Sequence, residues 1–153
     1  MKILGIIPAR SRSKGVLHKN ILPIKNIPLL EFSVFTAEKC KNAGLLSDVI
    51  ISTDSEEYLD KVKEYNIEKD YIRPKILGED NTPTIDVIID VIEWYKVYRN
   101  NDFDAVMLLQ PTSPFRTLKN VKDSIEILEK DPNLSCVASV TKLSKSLRSS
   151  MKL

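Results

Sequence analysis

Residues 2–20 read KILGIIPARSRSKGVLHKN, and the change of character at Pro8 decides the fold. Lys2 to Ile7 is a short apolar run closed by a proline, the pattern of a buried strand. Pro8 to Asn20 is a polar loop carrying Arg10, Arg12, Lys14 and Lys19. Pro28 to Ala43 then places Leu30, Val34 and Ala37 at helical spacing before Gly44, so the chain opens as strand, long loop, helix.

The alternation repeats outward from that opening. Asp48 to Ser52 (DVIIS) is a second β-branched run, and Ser55-Glu56-Glu57 starts a helix that sets Tyr58, Val62 and Tyr65 on one face. Thr84 to Tyr98 carries Ile85, Ile88, Ile89, Ile92 and Tyr95 at helical spacing, with Thr84 expected as N-cap and Asp86 near the positive end of the dipole. Asp104 to Leu109 (DAVMLL) is the third strong strand. Thr117 to Lys130 is a helix with Leu118, Val121, Ile125 and Leu128 on one side, Ser135 to Thr141 is expected as a fourth strand, and Ile67 to Ile72 as a further short one. Strands alternating with helices predict an α/β fold with a mostly parallel sheet covered on both faces. Ligands of such sheets gather outside the carboxyl ends of the strands, which directs attention to Pro8–Asn20, Thr53–Asp54 and Gln110–Arg116.

Composition narrows the function. Hydrophobic residues at 42% and charged residues at 29% describe a globular chain of one domain. A net charge of +2, from 23 basic and 21 acidic residues, gives no field for non-specific nucleic-acid binding, so any anion must be held locally. Apolar runs fall far short of the ~20 residues that cross a bilayer, and the start leads straight into a strand without a signal peptide, which makes the cytoplasm the expected location. Cys40 and Cys136 have no CxxC spacing, and His18 is the single histidine, so a structural zinc site lacks ligands. No acidic residue lies within ten positions of His18, which argues against a catalytic triad.

The loops carry the chemistry. In the first, Arg10 can fork onto phosphate oxygens, Lys14 can supply a mobile point charge, and Gly15 can let backbone N–H groups approach a phosphate. Neither GxxxxGK[ST] nor GxGxxG is present, and a solvated basic loop stands as the plain alternative. Gln110-Pro111-Thr112-Ser113-Pro114-Phe115-Arg116 delivers an amide, two hydroxyls and an arginine after a buried strand, stiffened by two prolines; a turn that merely ends the strand explains it equally. Asp54 offers a carboxylate to a ribose or an amine, yet helix capping by Asp54 or Ser55 is the safer assignment. Arg73-Pro74 and Asp80 to Thr84 form a polar loop before a helix whose free N–H groups can meet a base or phosphate. Trp94, Tyr95 and Tyr98 fall within a periodic helix and are assigned to core packing or partial exposure rather than to a base platform.

Four segments in order resemble the acylneuraminate cytidylyltransferases, or CMP-sialic acid synthetases, and their relatives for legionaminic and pseudaminic acids. They are residues 6–20 (IIPARSRSKGVLHKN), 50–55 (IISTDS), 73–85 and 108–117 (LLQPTSPFRT). The resemblance implies a three-layer sandwich of the nucleotide-diphospho-sugar transferase type. It also implies a reaction in which the anomeric hydroxyl of a nine-carbon acidic sugar attacks the α-phosphorus of CTP and pyrophosphate leaves, a step served by cations placed in advance. By the same resemblance Arg10 and Lys14 hold the triphosphate and are the catalytic cations. Asn20 and Thr84 approach the nucleoside or its phosphates, Arg73 faces the base pocket, and Gln110 contacts the sugar, with Ser113 and Asp80 as further carry-overs. Arg12 stands where the family often has a small residue, and either crowds the loop or adds a contact.

The family also implies Mg²⁺ held by an Asp-x-Asp pair, a segment that closes the sugar site, and a homodimer. No acidic residue follows Asp131, and Lys142 to Leu153 is purely basic in charge. Residues 1–153 are therefore expected to be one truncated cytidylyltransferase domain without the sugar-closing and dimerisation segment, with weak CTP binding and low turnover. The expected partners are CTP and an acidic sugar, with no nucleic acid and no membrane. An enzyme for the eight-carbon sugar acid of lipopolysaccharide, a non-catalytic CTP-binding or interaction module, and a poorly folding product of a truncated gene are the competing readings.

Overall fold

The computed structural model of the chain describes residues 1–12 and 15–140. Its centre is strand β1, Ile3–Pro8, flanked by β4, Asp48–Ser52, and β5, Ala105–Leu108, in the order β4-β1-β5 with both pairings parallel. Helix α1, Leu29–Asn42, links β1 to β4; helices α2, Glu56–Lys61, and α3, Thr84–Arg99, lie between β4 and β5; α4, Leu118–Lys130, follows β5. The fold is α/β with a parallel sheet between helical layers, as the alternation predicts.

The pleat explains why the apolar runs are continuous. Ile3 and Ile7 point to one face and pack with Leu30, Val34 and Ala37 of α1 and with Val121 and Ile125 of α4. Leu4 and Ile6 point to the other and pack with Val91 and Tyr95 of α3. In β4, Val49 and Ile51 take the first face and Ile50 the second, so successive residues of both strands are buried on opposite sides. Gly5 marks the tightest point: a Cβ there would stand 2.9 Å from Leu46 Cδ1 and 3.2 Å from Val49 Cγ2. Of the aromatic residues of α3, Tyr95 is fully buried and Trp94 meets it edge to face, whereas Tyr98 is 65% exposed.

Four local expectations need correction. Ser135–Val140 forms no strand among the described residues; Val140 is 93% exposed, and β-branched residues make a strand only where a neighbour pairs their backbone. Thr141 lies outside the described residues. Ile67–Ile72 is not a strand but a single parallel bridge of Glu68 to Ile50. There the Glu68 carboxylate accepts the N–H groups of Lys69 and Asp70 and turns the chain away from the sheet. Helix α2 stops at Lys61, and Val62 and Tyr65 are reached by tighter i→i−3 bonds. Thr84 is the first helical residue rather than the cap, the N-cap position being Pro83.

The long loop after β1 also has structure of its own. A 3-10 turn spans Lys19–Ile21, and β2 (Pro23–Ile24) pairs antiparallel with β3 (Ile27–Pro28). Lys25 and Asn26 both take positive φ, the arrangement of a two-residue hairpin turn.

Candidate functional site

At the carboxyl ends of the strands the described residues enclose a cavity of about 360 Å³. Arg10 and Arg12 reach it from the loop after β1, Lys19 and Asn20 from the 3-10 turn, and Arg73 from the segment beside β4. Asp80, Thr82 and Thr84 come from the approach to α3, and Gln110 and Thr112 from the loop after β5. Its apolar wall is Pro8, Leu77, Val87 and Pro111. Residues scattered over a hundred positions of sequence are thus brought to one place because three parallel strands end there side by side.

The floor is built on Ser52, the last residue of β4. Its carbonyl accepts the Ala9 N–H at 2.8 Å and Arg73 Nη2 at 2.7 Å, while its hydroxyl accepts Arg73 Nε at 2.9 Å. Arg73 is 4% exposed, and its N–H donates to the Thr53 carbonyl at 2.8 Å. Burial pushes its pKa down, against the fields of Tyr71 and of the Asp54 and Asp90 carboxylates. An arginine remains charged through such a shift, so a cation is fixed in a poorly hydrated place.

The rim is held by ion pairs. Arg10 Nη2 lies 2.9 Å from Asp80 Oδ1, and Nη1 donates to the Glu79 carbonyl at 3.0 Å, which ties the β1 loop to the loop before α3. Asn20, nearly buried, donates its amide N–H to the Arg10 carbonyl at 3.1 Å. Asp54 does not cap α2: its two carboxylate oxygens accept the N–H and hydroxyl of Ser11, at 2.7 and 2.8 Å, and Ser55 is the N-cap without a side-chain bond. Burial works to raise the Asp54 pKa, but the two bonds from Ser11, its own N–H and the field of Arg73 outweigh it and hold it low. Gly78 makes room for this clamp, since a Cβ there would stand 3.3 Å from Asp54 Oδ2.

The third wall is looser. Gln110 is exposed, with its carbonyl accepting from the Ser33 hydroxyl at 3.3 Å and the Ser113 N–H at 3.1 Å. Its side-chain Oε1 accepts from the Thr112 hydroxyl at 3.5 Å, and both residues line the cavity. Thr117 closes this loop with a capping box on α4, its hydroxyl accepting the Asn120 N–H while its own N–H donates to Asn120 Oδ1.

A family model described as "Cytidylyltransferase" matches residues 4–151. The chain belongs to the cytidylyltransferase family. It is 34% identical over 144 residues to the N-acylneuraminate cytidylyltransferase of Escherichia coli O18:K1:H7, covering 94% of this chain and 32% of that protein. It is 32% identical over 127 residues to the CMP-N,N'-diacetyllegionaminic acid synthase of Legionella pneumophila, covering 83% and 53%. In fold it resembles a CMP:2-keto-3-deoxy-manno-octonic acid synthetase solved with CTP, with a TM-score of 0.68, 20% identity, and 88% and 50% of the two chains covered. The chain spans about a third to a half of the length of these relatives.

Of the positions that the cytidylyltransferase resemblance singles out, Arg10, Asn20, Arg73, Thr84, Asp80 and Gln110 all line the cavity. Ser113 is exposed and outside its lining, and Lys14 lies outside the described residues. Arg12 adds to the lining. Sequence reasoning gave no site role to Lys19, Glu79, Thr82 or to the Asp54–Ser11 clamp; Lys19 stands beside Asn20 in a quoted motif, whereas nothing local marks the clamp. Among the described residues no three His, Cys, Asp or Glu side chains group to hold a metal ion. Among these residues Asp80 is paired with Arg10 and Asp54 accepts from Ser11. What the described residues offer a ligand is cations and dipoles. Among them no helix is long and apolar enough to cross a membrane.

Proposed function

We propose that the chain is the nucleotide-binding part of an enzyme that transfers CMP from CTP to a nine-carbon acidic sugar and releases pyrophosphate. The observation that carries this reading is the convergence of Arg10, Asn20, Arg73, Thr84 and Gln110 on one cavity at the ends of the strands. The names of the relatives support it, and the CTP-bound fold relative supports the choice of nucleotide.

In this reading the rim takes the triphosphate. Arg10 and Arg12, with Lys14 and Lys19 of the same loop, offset the charge that builds on the phosphate oxygens as the sugar hydroxyl bonds to the α-phosphorus and the bond to the β-phosphate breaks. Asn20 and Thr84 approach the ribose and phosphates. Arg73, next to the apolar Leu77 and Val87, faces the base, and Gln110 and Ser113 meet the sugar. A homodimer is part of the same proposal, and the reaction is placed in the cytoplasm.

The test is a thermal melt of the chain with CTP or ATP, paired with a pyrophosphate-release assay on sialic, legionaminic and pseudaminic acids with Mg²⁺. CTP is expected to raise the melting temperature selectively, as a ligand bound to the native state alone must. No selective shift would contradict the reading. A shift without pyrophosphate release would assign nucleotide binding, but not turnover, to these residues.

A further inference from the structure

The backbone that carries Arg10 and the guanidinium at its tip are held by different groups. At Ala9 the N–H donates to the Ser52 carbonyl at 2.8 Å, at Arg10 the carbonyl accepts Asn20 Nδ2 at 3.1 Å, and at Ser11 the N–H donates to Asp54 Oδ1 at 2.7 Å. The Ser11 hydroxyl donates to Asp54 Oδ2 at 2.8 Å, and the Ser11 carbonyl accepts the Tyr58 hydroxyl at 3.4 Å. Three consecutive residues are thus pinned to β4, the 3-10 turn and α2. The guanidinium reaches instead to Asp80 and the Glu79 carbonyl on the rim.

These two sets of contacts differ in what a ligand can do to them. Arg10 and Asp80 both line the cavity, so a phosphate there competes with Asp80 for the guanidinium. Ser11 and Asp54 are outside the lining, and their two bonds end on a half-buried carboxylate, where charge strengthens them. Gly78 leaves that carboxylate its room, since a Cβ there would stand 3.3 Å from Oδ2. The backbone beside Arg10 therefore keeps its place while the side chain changes partner, and less ordering is needed when the ligand arrives.

We propose that Ser11 and Asp54 are positioning residues, a fixed point next to Arg10 about which its guanidinium passes from Asp80 to a phosphate. The proposal rests on the reading of the rim as a phosphate site. It goes beyond that reading by giving Asp80 two opposed effects, competition for Arg10 and anchorage of its loop, and by making the clamp decide which of them dominates. With the clamp in place the anchorage by Asp80 is redundant and its competition shows. Without the clamp Asp80 bears more of the loop, and its removal leaves Arg10 less well placed.

The test is a double-mutant cycle read by calorimetry with CTP, inorganic tripolyphosphate and cytidine, on the full chain, Asp80→Asn, Ser11→Ala and the double variant, with a melt of each. Asp54→Ala, alone and with Asp80→Asn, repeats the cycle from the other side of the clamp. Ser11→Ala removes one oxygen from a half-buried position and Asp80→Asn is isosteric at an exposed one, so both are expected to melt cooperatively. With the clamp intact, Asp80→Asn is expected to tighten tripolyphosphate binding up to about fivefold at low salt. Ser11→Ala alone is expected to weaken tripolyphosphate and CTP about tenfold, the effect of losing one charge-assisted hydrogen bond. In the Ser11→Ala and Asp54→Ala backgrounds, Asp80→Asn is expected to bring no gain or a further loss. Cytidine affinity is expected to stay within about twofold throughout; a fall equal to that of tripolyphosphate would show a merely structural role and overturn the proposal. The same gain from Asp80→Asn with and without the clamp would also overturn it, because additive effects mean that the two contacts act independently. So would the absence of any gain with the clamp intact. Wild-type protein that binds neither CTP nor tripolyphosphate would remove the reading of the rim itself and this proposal with it.

Discussion

Two of the three arginines that line the cavity, Arg73 and Arg10, are kept in opposite ways. Arg73 on the floor is buried, has no direct carboxylate partner among the described residues, and is held by a serine hydroxyl and a carbonyl. Arg10 on the rim is about a third exposed and already paired with Asp80. A buried cation fixed by neutral groups has no paired anion to give up for a ligand and does not move to meet it. An exposed cation in an ion pair must exchange one anion for another, at little net cost because such pairs contribute only ~0–1 kcal/mol. The floor is therefore suited to selection, and the rim to reversible capture of phosphate.

Arg73→Ala is the change that would break this contrast most forcibly. It is expected to weaken CTP binding by about a hundredfold or more, the ~2–5 kcal/mol that follows truncation of a buried charged hydrogen-bonding group. Arg73→Lys is expected to rescue little of it, because a point charge cannot reproduce the fork on Ser52. A calorimetric titration decides both.

Asp54→Ala tests what holds the rim in place. Loss of two bonds from Ser11 to a carboxylate is expected to destabilise the chain by about 2 kcal/mol and to loosen the loop that carries Arg10. The measurement is a urea melt together with a tripolyphosphate titration. The same clamp has a pH signature. The Asp54 carboxyl is held below its ordinary value, so its stabilisation is complete above that value, about 4, and is lost as the pH falls through the folded-state pKa. Wild type is expected to exceed Asp54→Asn in stability at neutral pH and to converge with it in acid; a constant difference down to pH ~2 would contradict the assignment.

Asp80→Asn should produce the smallest effect and the opposite sign. Removal of the rim anion is expected to tighten tripolyphosphate binding up to about fivefold at low salt, with the gain fading as salt is added. Weaker binding would show that Asp80 helps to present the ligand rather than competing with it.

The contrast between floor and rim also marks how far the sequence could be read. β1, β4, β5, α1, α3 and α4 were legible because each is an apolar run or a periodic face whose period survives packing, as Ile3 and Ile7 against Leu4 and Ile6 illustrate. Ser135–Val140 has a similar β-branched pattern and no partner strand among the described residues, which a single-segment pattern does not report. The hairpin at Lys25–Asn26 escaped because its strands are two residues long and its turn lacks glycine. Arg10, Asn20 and Gln110 were legible as cavity residues from their place after strands and from the family motifs, and Arg73 from the family motifs alone. The Asp54–Ser11 clamp and the Tyr71–Asp90 bond were not, because they join residues more than ten positions apart through side chains that each have a plausible local role.

The most direct test of the division between floor and rim follows the side-chain N–H signals of Arg73 and Arg10 by NMR during titration with CTP and with inorganic tripolyphosphate. The account predicts that Arg10 responds to both ligands and that Arg73 responds to CTP alone. A response of Arg73 to tripolyphosphate equal to its response to CTP, or no response of either arginine to CTP, would contradict it.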